Sequence, residues 1–424
     1  MLFKKKIDMS LKYMIDNNTY NKYRVIINYG IISRTIEKRI KSTRGILLYD
    51  IKLVNCICAL VTRNCIISLT ELPEVKYICL DESVTLCSKN ILHSNGVFID
   101  NSVYSPLKDQ TISGKGIGIG LIDSGVYPHN DLSNPSNKVK EFIDILNNFN
   151  YPYDDNGHGT FMAGTICAYN NSKKSKQHGI AINSDLIVIK AFNRLGKSYI
   201  STILYAFEYL YKNRKEYNLK VICAPFQSDT CNKFLLNLTE TIFLKFKKLN
   251  IIIVVPSGNN ESTEDSIKGI ALSGNVITVG GINTNGTYCI CDYSCCGSVK
   301  YLKKPDFVAA SDDIIGLNSD CSYVSEANGE KLYPRPLNTP YTIKSGTSIA
   351  CAFIAGICSL LFEVNNDFTF DDIYTLLKIN SVLINEHKSK QGNGYINLSK
   401  LVNTDFTNIK LPGKKSKKTD ISFK

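Results

Sequence analysis

The stretch Gly116-Ile-Gly-Ile-Gly-Leu-Ile-Asp123-Ser-Gly125 decides the fold of this 424-residue chain. Its apolar residues do not alternate with polar ones, which is typical of a strand buried on both faces of a parallel sheet. The run ends in a carboxylate, Asp123, followed by a turn sequence. Ligands of open parallel sheets bind beyond the carboxyl ends of the strands, so Asp123 lies where a functional site is expected.

More apolar runs of strand length follow, and helical patterns lie between several of them. Strands that alternate with helices favour an α/β fold, a doubly wound parallel sheet with helices on both faces. The predicted strands are Gly116–Ile122, Asp185–Ala191, Lys220–Ala224, Asn250–Pro256 and Asn275–Gly280, and the predicted helices include Ser198–Tyr211 and Phe234–Leu249.

Residues 23–82 have a separate pattern, β-α-β-β-α-β, which predicts a small ferredoxin-like α+β domain. Tyr23–Tyr29 has a strand pattern, and a helical stretch follows that ends at Gly45. No acid, base and nucleophile occur together in this segment, so we expect it to bind another group and not to catalyse. The full division predicted is an N-terminal extension (1–22), this small domain (23–82), a linker (83–112), the large α/β domain (113–402) and a basic tail (403–424).

The composition argues against several classes of protein. Hydrophobic residues make up 44% of the chain and aromatic residues 10%, which argues against general disorder. Charges and amides interrupt each apolar run near the N-terminus, so no secretory signal is predicted there. We also expect no membrane-spanning segment. These observations predict a cytoplasmic protein, with unconventional export left open.

The 15 cysteines are expected to be free thiols, because no export signal accompanies them. Two groups could suggest a zinc site, Cys56, Cys58 and Cys65, and Cys289, Cys291, Cys295 and Cys296. The second group lacks paired C-x-x-C spacing and a neighbouring histidine. Alternating cysteines in apolar strands favour packing as small hydrophobic residues instead.

Three short motifs at the ends of predicted elements carry the residues of a serine hydrolase. Asp123 ends the first buried strand, His158 begins a helix in Asp154-Asp-Asn-Gly-His158-Gly-Thr160, and Ser348 begins another in Lys344-Ser-Gly-Thr-Ser348. A serine hydroxyl becomes a nucleophile when a histidine takes its proton. A buried carboxylate then fixes the histidine tautomer. The chain order Asp, His, Ser is one of the known orders of such a triad.

Across roughly residues 20–400 the chain resembles the subtilisin-like serine proteases, or subtilases (peptidase family S8), and most closely their cytoplasmic AprX-type branch. The stretches that carry the resemblance are Ser113-Gly-Lys-Gly116, Tyr127-Pro-His-Asn-Asp-Leu132, Asp154–Thr160, Ser257-Gly-Asn259, Ile277-Thr-Val-Gly280, Lys304-Pro-Asp306, Gly346-Thr-Ser348 and Gly392-Asn-Gly394.

The resemblance implies a serine endopeptidase that acts on proteins or peptides through Asp123, His158 and Ser348. It implies that Asn259 is the side-chain donor of the oxyanion hole and that Ser257 and Gly258 line the substrate site. Residues 23–82 resemble the inhibitory propeptide of the family, cut off within residues 83–112. The protein's own propeptide domain is thus an expected partner.

Several positions depart from the family pattern. The substrate-binding strand that typically has the sequence Ser-Leu-Gly is Pro225-Phe226-Gln227 here. Proline removes a backbone donor, and Gln227 places a side chain where glycine leaves space, so we expect a narrower pocket or altered peptide binding. The opposing strand keeps Gly196. Phe161 replaces a second histidine, and Ala352 replaces a proline.

The resemblance also includes part of a calcium site. Asp131 matches a calcium ligand of secreted subtilisins and Asn171 a second one. The loop that would complete this site contains Lys173, Lys174 and Lys176, which oppose a divalent cation. We therefore predict that no cofactor is required and leave calcium as an alternative.

Two other functions stay open from the sequence. The altered strand Pro225–Gln227 allows a catalytically weak subtilase relative that binds or regulates. The net charge of +12 and the basic tail Gly413–Lys418 could contact nucleic acid, but no aromatic-basic recognition motif accompanies them. We predict a monomer that binds neither nucleic acid nor membrane.

Overall fold

The structure, a computed structural model, describes residues 6–87, 112–169, 178–298 and 304–402. The predicted basic tail, most of the predicted linker and Asn171 lie outside these ranges. The chain forms two compact units, the smaller comprising Met1–Val84, Ser198–Lys212 and Asn232–Ile242. The larger unit contains the rest, including Thr85–Lys197 and Phe243–Lys424.

The smaller unit contains a four-stranded antiparallel sheet with strand order β2-β3-β1-β4. Apolar side chains of β1, α2 and α3 form its core, and Leu11 and Ile15 of α1 join them. The strand and helix order after α1 is β-α-β-β-α-β, as the pattern of residues 23–82 predicts. The elements are α1 (Met9–Asp16), β1 (Tyr23–Tyr29), α2 (Arg34–Ser42), β2 (Ile46–Ile51), β3 (Cys56–Val61), α3 (Arg63–Thr70) and β4 (Val75–Leu80).

The remaining elements begin with β5. They are β5 (Ser83–Leu86), β6 (Gly118–Asp123), α4 (Asn130–Ser133), β7 (Val139–Asp144), α5 (His158–Cys167), β8 (Asp185–Lys190), β9 (Lys197–Tyr199), α6 (Ile200–Asn213), β10 (Leu219–Cys223), β11 (Phe226–Gln227), α7 (Lys233–Lys248), β12 (Ile252–Pro256), β13 (Ile277–Asn283), β14 (Cys289–Ile290), β15 (Phe307–Ala310), β16 (Ile314–Leu317), β17 (Glu326–Ala327), β18 (Glu330–Lys331), β19 (Tyr341–Lys344), α8 (Thr347–Val364), α9 (Phe370–Ile379), β20 (Ser381–Val382), α10 (Lys388–Gln391), β21 (Tyr395–Ile396) and α11 (Leu398–Val402).

A large, mostly parallel sheet organises the larger unit, with strand order β20-β21-β15-β13-β12-β10-β6-β8-β7. Neighbours from β21 to β7 are parallel, while β20 and β14 pair antiparallel with β21 and β13. Strands β7 and β8 lie on one side of β6, and β10 lies on the other. The carboxyl ends of β6, β10 and β12 therefore meet where the strand order changes direction, which is where open α/β sheets bind ligands.

Helix α8 forms the centre of the core of the larger unit. It packs against β10, β12, β13 and helix α5. Among the described residues it is the one helix that is long and apolar enough to span a membrane, and the sequence analysis did not identify it as such. Of this helix, 89% is buried inside the protein. Its apolar composition is thus explained by its place in the core.

The predicted buried strands are confirmed to within two or three residues at their ends. Strand β7, which the sequence analysis missed, lies at the edge of the sheet and pairs with β8 alone. Its sequence Val-Lys-Glu-Phe-Ile-Asp is mixed, because only Phe142 and Asp144 are buried. An edge strand lacks the continuous apolar run by which the central strands are recognised.

All 15 cysteines lie within the described ranges, and all are free. Twelve of them are buried, including Cys56, Cys58 and Cys65. The expectation of free thiols is therefore confirmed. Among the described residues, no three metal-ligating side chains come together in a group.

Candidate active site

Asp123 and His158 form a buried hydrogen-bonded pair. Asp123 is the last residue of β6, and His158 is the first residue of α5. The His158 Nδ1 atom lies 2.8 and 2.9 Å from the two carboxylate oxygens of Asp123, and neither side chain is exposed. This geometry fixes Nδ1 as the protonated nitrogen and leaves Nε2 as the proton acceptor. The buried Nε2 atom has no hydrogen-bond partner among the described residues.

A second buried carboxylate, Asp154, holds the loop that brings His158 to this position. It accepts hydrogen bonds from the Ser124 hydroxyl (2.8 Å), the Gly157 amide (2.8 Å), and both the amide and hydroxyl of Thr160 (2.8 and 2.6 Å). Burial by itself raises the pKa of the Asp154 carboxyl, but these hydrogen bonds outweigh it, and the pKa lies below its ordinary value. Asp154 is therefore a buried carboxylate, stabilised by donors on both sides of His158.

Ser348 lies at the beginning of α8, one residue after its first residue, and is completely buried. Its hydroxyl donates a hydrogen bond to the carbonyl of Pro225, at 2.8 Å. The N-cap residue Gly346 has φ of +152°, a conformation in which glycine is favoured. The start of this long helix directs its dipole at the serine, which favours negative charge there.

Asn259 lies three residues after β12, and its side-chain carboxamide has a fixed orientation. Its Oδ1 atom accepts hydrogen bonds from the Thr347 amide (2.9 Å) and the Thr347 hydroxyl (2.8 Å). The Nδ2 group is thereby turned away from Thr347. It is buried and has no acceptor among the described residues. Asn259 thus holds an unpaired donor beside Ser348, which follows Thr347 in the chain.

The strand Pro225–Gln227 lies beside the serine. The Phe226 ring is buried and packs against Phe192, with ring centroids 5.3 Å apart. The Gln227 carboxamide forms three hydrogen bonds. Its oxygen accepts hydrogen bonds from the backbone amide of Asn259 (2.9 Å) and from the Cys87 thiol (3.3 Å). Its nitrogen donates to the side-chain oxygen of Asn260 (3.1 Å). The side chain that replaces the usual glycine thus occupies space beside the unpaired donor.

Gly196, Ser257 and Gly258 complete the set of predicted substrate-binding residues. The Gly196 carbonyl accepts a hydrogen bond from the Leu86 amide, at 3.0 Å. Ser257 is buried, and its amide donates to Val279 in the main sheet. Gly258 has φ of +111°, and a Cβ atom there would lie 3.0 Å from the Cys295 sulfur. The site-facing turn therefore has little space for a larger residue.

Asp131, the predicted calcium candidate, is buried in α4 and accepts a hydrogen bond from the Tyr341 hydroxyl, at 2.7 Å. Its amide donates to the ring of His129. Asn171 lies outside the described residues, so the calcium site stays a prediction.

A hydrogen-bonded carboxylate–imidazole pair and a serine at the start of a buried helix lie on a mostly parallel α/β sheet, an arrangement typical of serine hydrolases of the open-sheet type. The chain matches the model of the subtilase family over residues 114–396, about two thirds of its length. It therefore belongs to the subtilase family of serine endopeptidases. The family resemblance noted in the sequence is confirmed.

Individual relatives agree with this assignment. Serine protease AprX of Bacillus subtilis is 28% identical over 77% of this chain and 74% of its own length. An intracellular serine protease of Paenibacillus polymyxa is 24% identical over 68% of this chain and 80% of its own length. The solved structure of fervidolysin from Fervidobacterium pennivorans, a keratinolytic enzyme related to subtilisin, has the same fold, with a TM-score of 0.67 at 17% identity. The match covers 91% of this chain and 61% of fervidolysin, and the predicted α/β class is confirmed.

The structure also identifies three residues near the site whose roles the sequence analysis missed. Asp154 was noted only as part of the histidine motif, because its role depends on donors from two separate segments. Lys344 is half-buried and donates to the Gly157 carbonyl at 3.0 Å. Cys87 contacts Gln227, 140 residues away in the chain, and no local signal predicts such a contact.

We expect Asp154→Ala to destabilise the larger unit. The substitution leaves the buried amides of Gly157 and Thr160 without an acceptor, at a cost of about 2–5 kcal/mol in the free energy of unfolding. Urea unfolding measures this change as a lower denaturation midpoint. The control is Asp292→Ala at an exposed position, which should keep the wild-type midpoint. Equal midpoints for Asp154→Ala and wild type would contradict the role assigned to Asp154.

Asp154 should also contribute to acid sensitivity. The folded-state pKa of its carboxyl lies below the ordinary value of 3.8, so its stabilising contribution is complete above that pH and is lost as the pH falls through the folded-state pKa. We expect the difference in urea midpoint between wild type and Asp154→Asn to be constant near neutral pH and to shrink below pH 3.8. A difference that stays constant into acid would argue that Asp154 is not charged in the folded protein.

Proposed function

We propose that the chain hydrolyses peptide bonds through an acyl-enzyme, with Ser348 as nucleophile, His158 as general base and then general acid, and Asp123 as the residue that orients His158. The observation that carries the proposal is the pairing of His158 Nδ1 with Asp123, which leaves Nε2 unpaired in a buried site. Membership in the subtilase family supports the same roles.

Each chemical step of the proposal uses a named group of the site. The Ser348 hydroxyl turns from the Pro225 carbonyl toward His158 Nε2, which takes its proton as the oxygen attacks the substrate carbonyl. The resulting imidazolium is stabilised by Asp123 and returns the proton to the leaving amine. Water, activated by the same histidine, then hydrolyses the acyl-enzyme and restores the serine.

The oxyanion of the tetrahedral intermediate needs hydrogen-bond donors that are fixed before the reaction. Asn259 Nδ2 and the amide of Ser348 are proposed for this role. Support comes from the two bonds of Thr347 to Asn259 Oδ1, which orient the amide and leave Nδ2 available. The dipole of α8 acts in the same direction.

The same proposal includes self-inhibition by the N-terminal part of the chain. Residues 85 and 86 pair antiparallel with Phe226–Gln227, and Leu86 also donates to Gly196. This segment occupies the place of an extended peptide beside Ser348. We infer that the domain of residues 23–82 acts as a propeptide and that maturation cuts the chain within residues 83–112.

We further propose that the protein works inside the cell and requires no metal cofactor. Its similarity to AprX and to an intracellular serine protease supports this location, and so do the 15 free cysteines, because thiols stay reduced in the cytoplasm. The monomeric state stays a prediction.

Labelling with a fluorophosphonate tests the nucleophile. We expect intact-mass analysis to find one adduct on the folded wild type and none on Ser348→Ala, because only a serine deprotonated by His158 attacks the reagent. Urea-denatured wild type is the control and should not react. The segment beside Ser348 could shield it, so the full-length variant Leu86→Pro, which loses the amide bonded to Gly196, is tested in parallel.

An adduct on Leu86→Pro but not on wild type would support both the nucleophile and the inhibitory segment. If neither protein reacts while both unfold cooperatively, the protease proposal fails. The alternative is then a family member that binds or regulates, a role consistent with the bond between Ser348 and Pro225.

The oxyanion role of Asn259 predicts a loss of rate without a loss of binding. Asn259→Ala should lower kcat for a peptide substrate by about 10²–10³-fold, the loss found when a subtilisin loses its corresponding donor, with little change in KM. Steady-state kinetics measure both constants. Asn237→Ala, on an exposed face of α7, is the matched control and should keep wild-type kcat. A loss confined to KM would assign Asn259 to substrate binding instead.

A further inference from the structure

The residue that follows β5, Cys87, lies in the candidate active site. Cys87 is 1% exposed, although it lies within the predicted linker of residues 83–112. Residues Thr85 and Leu86 before it are extended and are held on both sides, by Gln227 and Phe226 through antiparallel pairing and by Gly196. The chain thus enters the site in the geometry of a bound peptide strand.

The Cys87 thiol contacts the segment that also holds the serine, because Gln227 lies two residues after Pro225, whose carbonyl accepts from the Ser348 hydroxyl. Burial raises the pKa of the Cys87 thiol well above its ordinary value. The thiol is therefore neutral and is able to donate. It donates to the Gln227 carboxamide oxygen, at 3.3 Å. In an extended peptide, the side chain enclosed beside the nucleophile belongs to the residue on the acyl side of the bond that would be cut.

Hydrogen bonds fix the carboxamide that lines the pocket around this thiol. The Gln227 side-chain oxygen also accepts from the backbone amide of Asn259, and the Gln227 side-chain nitrogen donates to Asn260. The carboxamide therefore cannot turn away without losing both bonds. Across from it, the Cα of Gly258 is so close to Cys295 that a Cβ atom would lie 3.0 Å from its sulfur and 3.4 Å from the Gln227 oxygen. The side chain found here is small, and a thiol or a hydroxyl both fits beside Gln227 and donates to its oxygen.

We propose that Gln227 is the specificity-determining residue beside Ser348, that it selects a small hydrogen-bond donor, Cys or Ser, on the acyl side of the cut bond, and that Cys87 is the first residue selected in this way. The inference rests on the proposed protease function and names the substrate class of that same site. Ser348 Oγ attacks the carbonyl carbon of Cys87 and the bond to the next nitrogen breaks. That amine takes the proton from His158, and water releases Cys87 with a free carboxylate.

Self-cleavage of the full-length chain tests the pocket and its residue together. We expect intact mass of the wild type to give an N-terminal fragment that ends at Cys87, and the same cut in Cys87→Ser. Cys87→Phe should slow this cut by at least about tenfold, since the ring cannot fit beside Gln227. The double variant Cys87→Phe, Gln227→Gly should restore it, because removal of the carboxamide opens the pocket. This rescue also establishes that the double variant folds.

Peptides that differ only at the acyl-side residue provide a second measurement on the processed protein. Wild type should prefer Cys or Ser over Phe by at least about tenfold in kcat/KM, and Gln227→Gly should reduce or reverse that ratio. Gln227→Glu keeps an acceptor of similar size and is the matched control that should retain the preference for small donors.

Fluorophosphonate labelling of the same samples separates the two levels of the proposal. Labelled Ser348 together with a cut at another bond, or with equal rates for Cys and Phe in wild type and Gln227→Gly, overturns the role of Gln227 and leaves the protease function in place. Absence of labelling in every variant overturns the protease function and this inference with it.

Discussion

A buried carboxylate, that of Asp154, is the constraint on which the geometry of the site depends. A charge in a dry interior costs several kcal/mol unless fixed dipoles replace the lost water. Here the replacement comes from Ser124, which follows Asp123, and from Gly157 and Thr160, which flank His158. Ser124 also accepts a hydrogen bond from the amide of Gly159, so the end of β6 and the start of α5 share one polar network. This network holds the residues on either side of Asp123 and His158 in place.

The parallel sheet supplies the second part of the arrangement. Its strand order changes direction around β6, so residues that follow β6, β10 and β12 reach the same edge although they are far apart in sequence. Asp123, Pro225 and Asn259 come from these three strand ends. Helix α8 is buried among the same strands and brings Thr347 and Ser348 to that edge, where Thr347 fixes the amide of Asn259. Packing of one apolar helix therefore positions both the serine and the donor beside it.

Most of the fold and the three motif residues were predictable, because each depends on a local pattern. A strand buried on both faces requires a continuous apolar run, and β6, β8, β10 and β12 all have one. Edge strand β7 has the charged residues Lys140, which is exposed, and Glu141, which is half-buried, and so lacks that signal. The contact of Cys87 with Gln227 was not predictable in the same way, because it joins two segments through a linker whose sequence has no periodicity. The role of Asp154 depends on donors from two elements, which no single motif reveals.

Gln227 links two properties of the site that are usually discussed separately. Its side-chain oxygen accepts a hydrogen bond from the backbone amide of Asn259, the residue whose side chain is the proposed oxyanion donor. The same oxygen accepts from the Cys87 thiol that fills the pocket. A carboxamide oxygen has two lone pairs, so both bonds can form at once, and a ligand that offers no donor leaves one lone pair buried and unsatisfied. A glycine at this position, as in the usual Ser-Leu-Gly strand, could do neither. Selection of the acyl-side residue and order in the oxyanion turn are therefore physically coupled in this chain, and a change that widens the pocket by removing the carboxamide also removes a bond to the residue that stabilises the transition state.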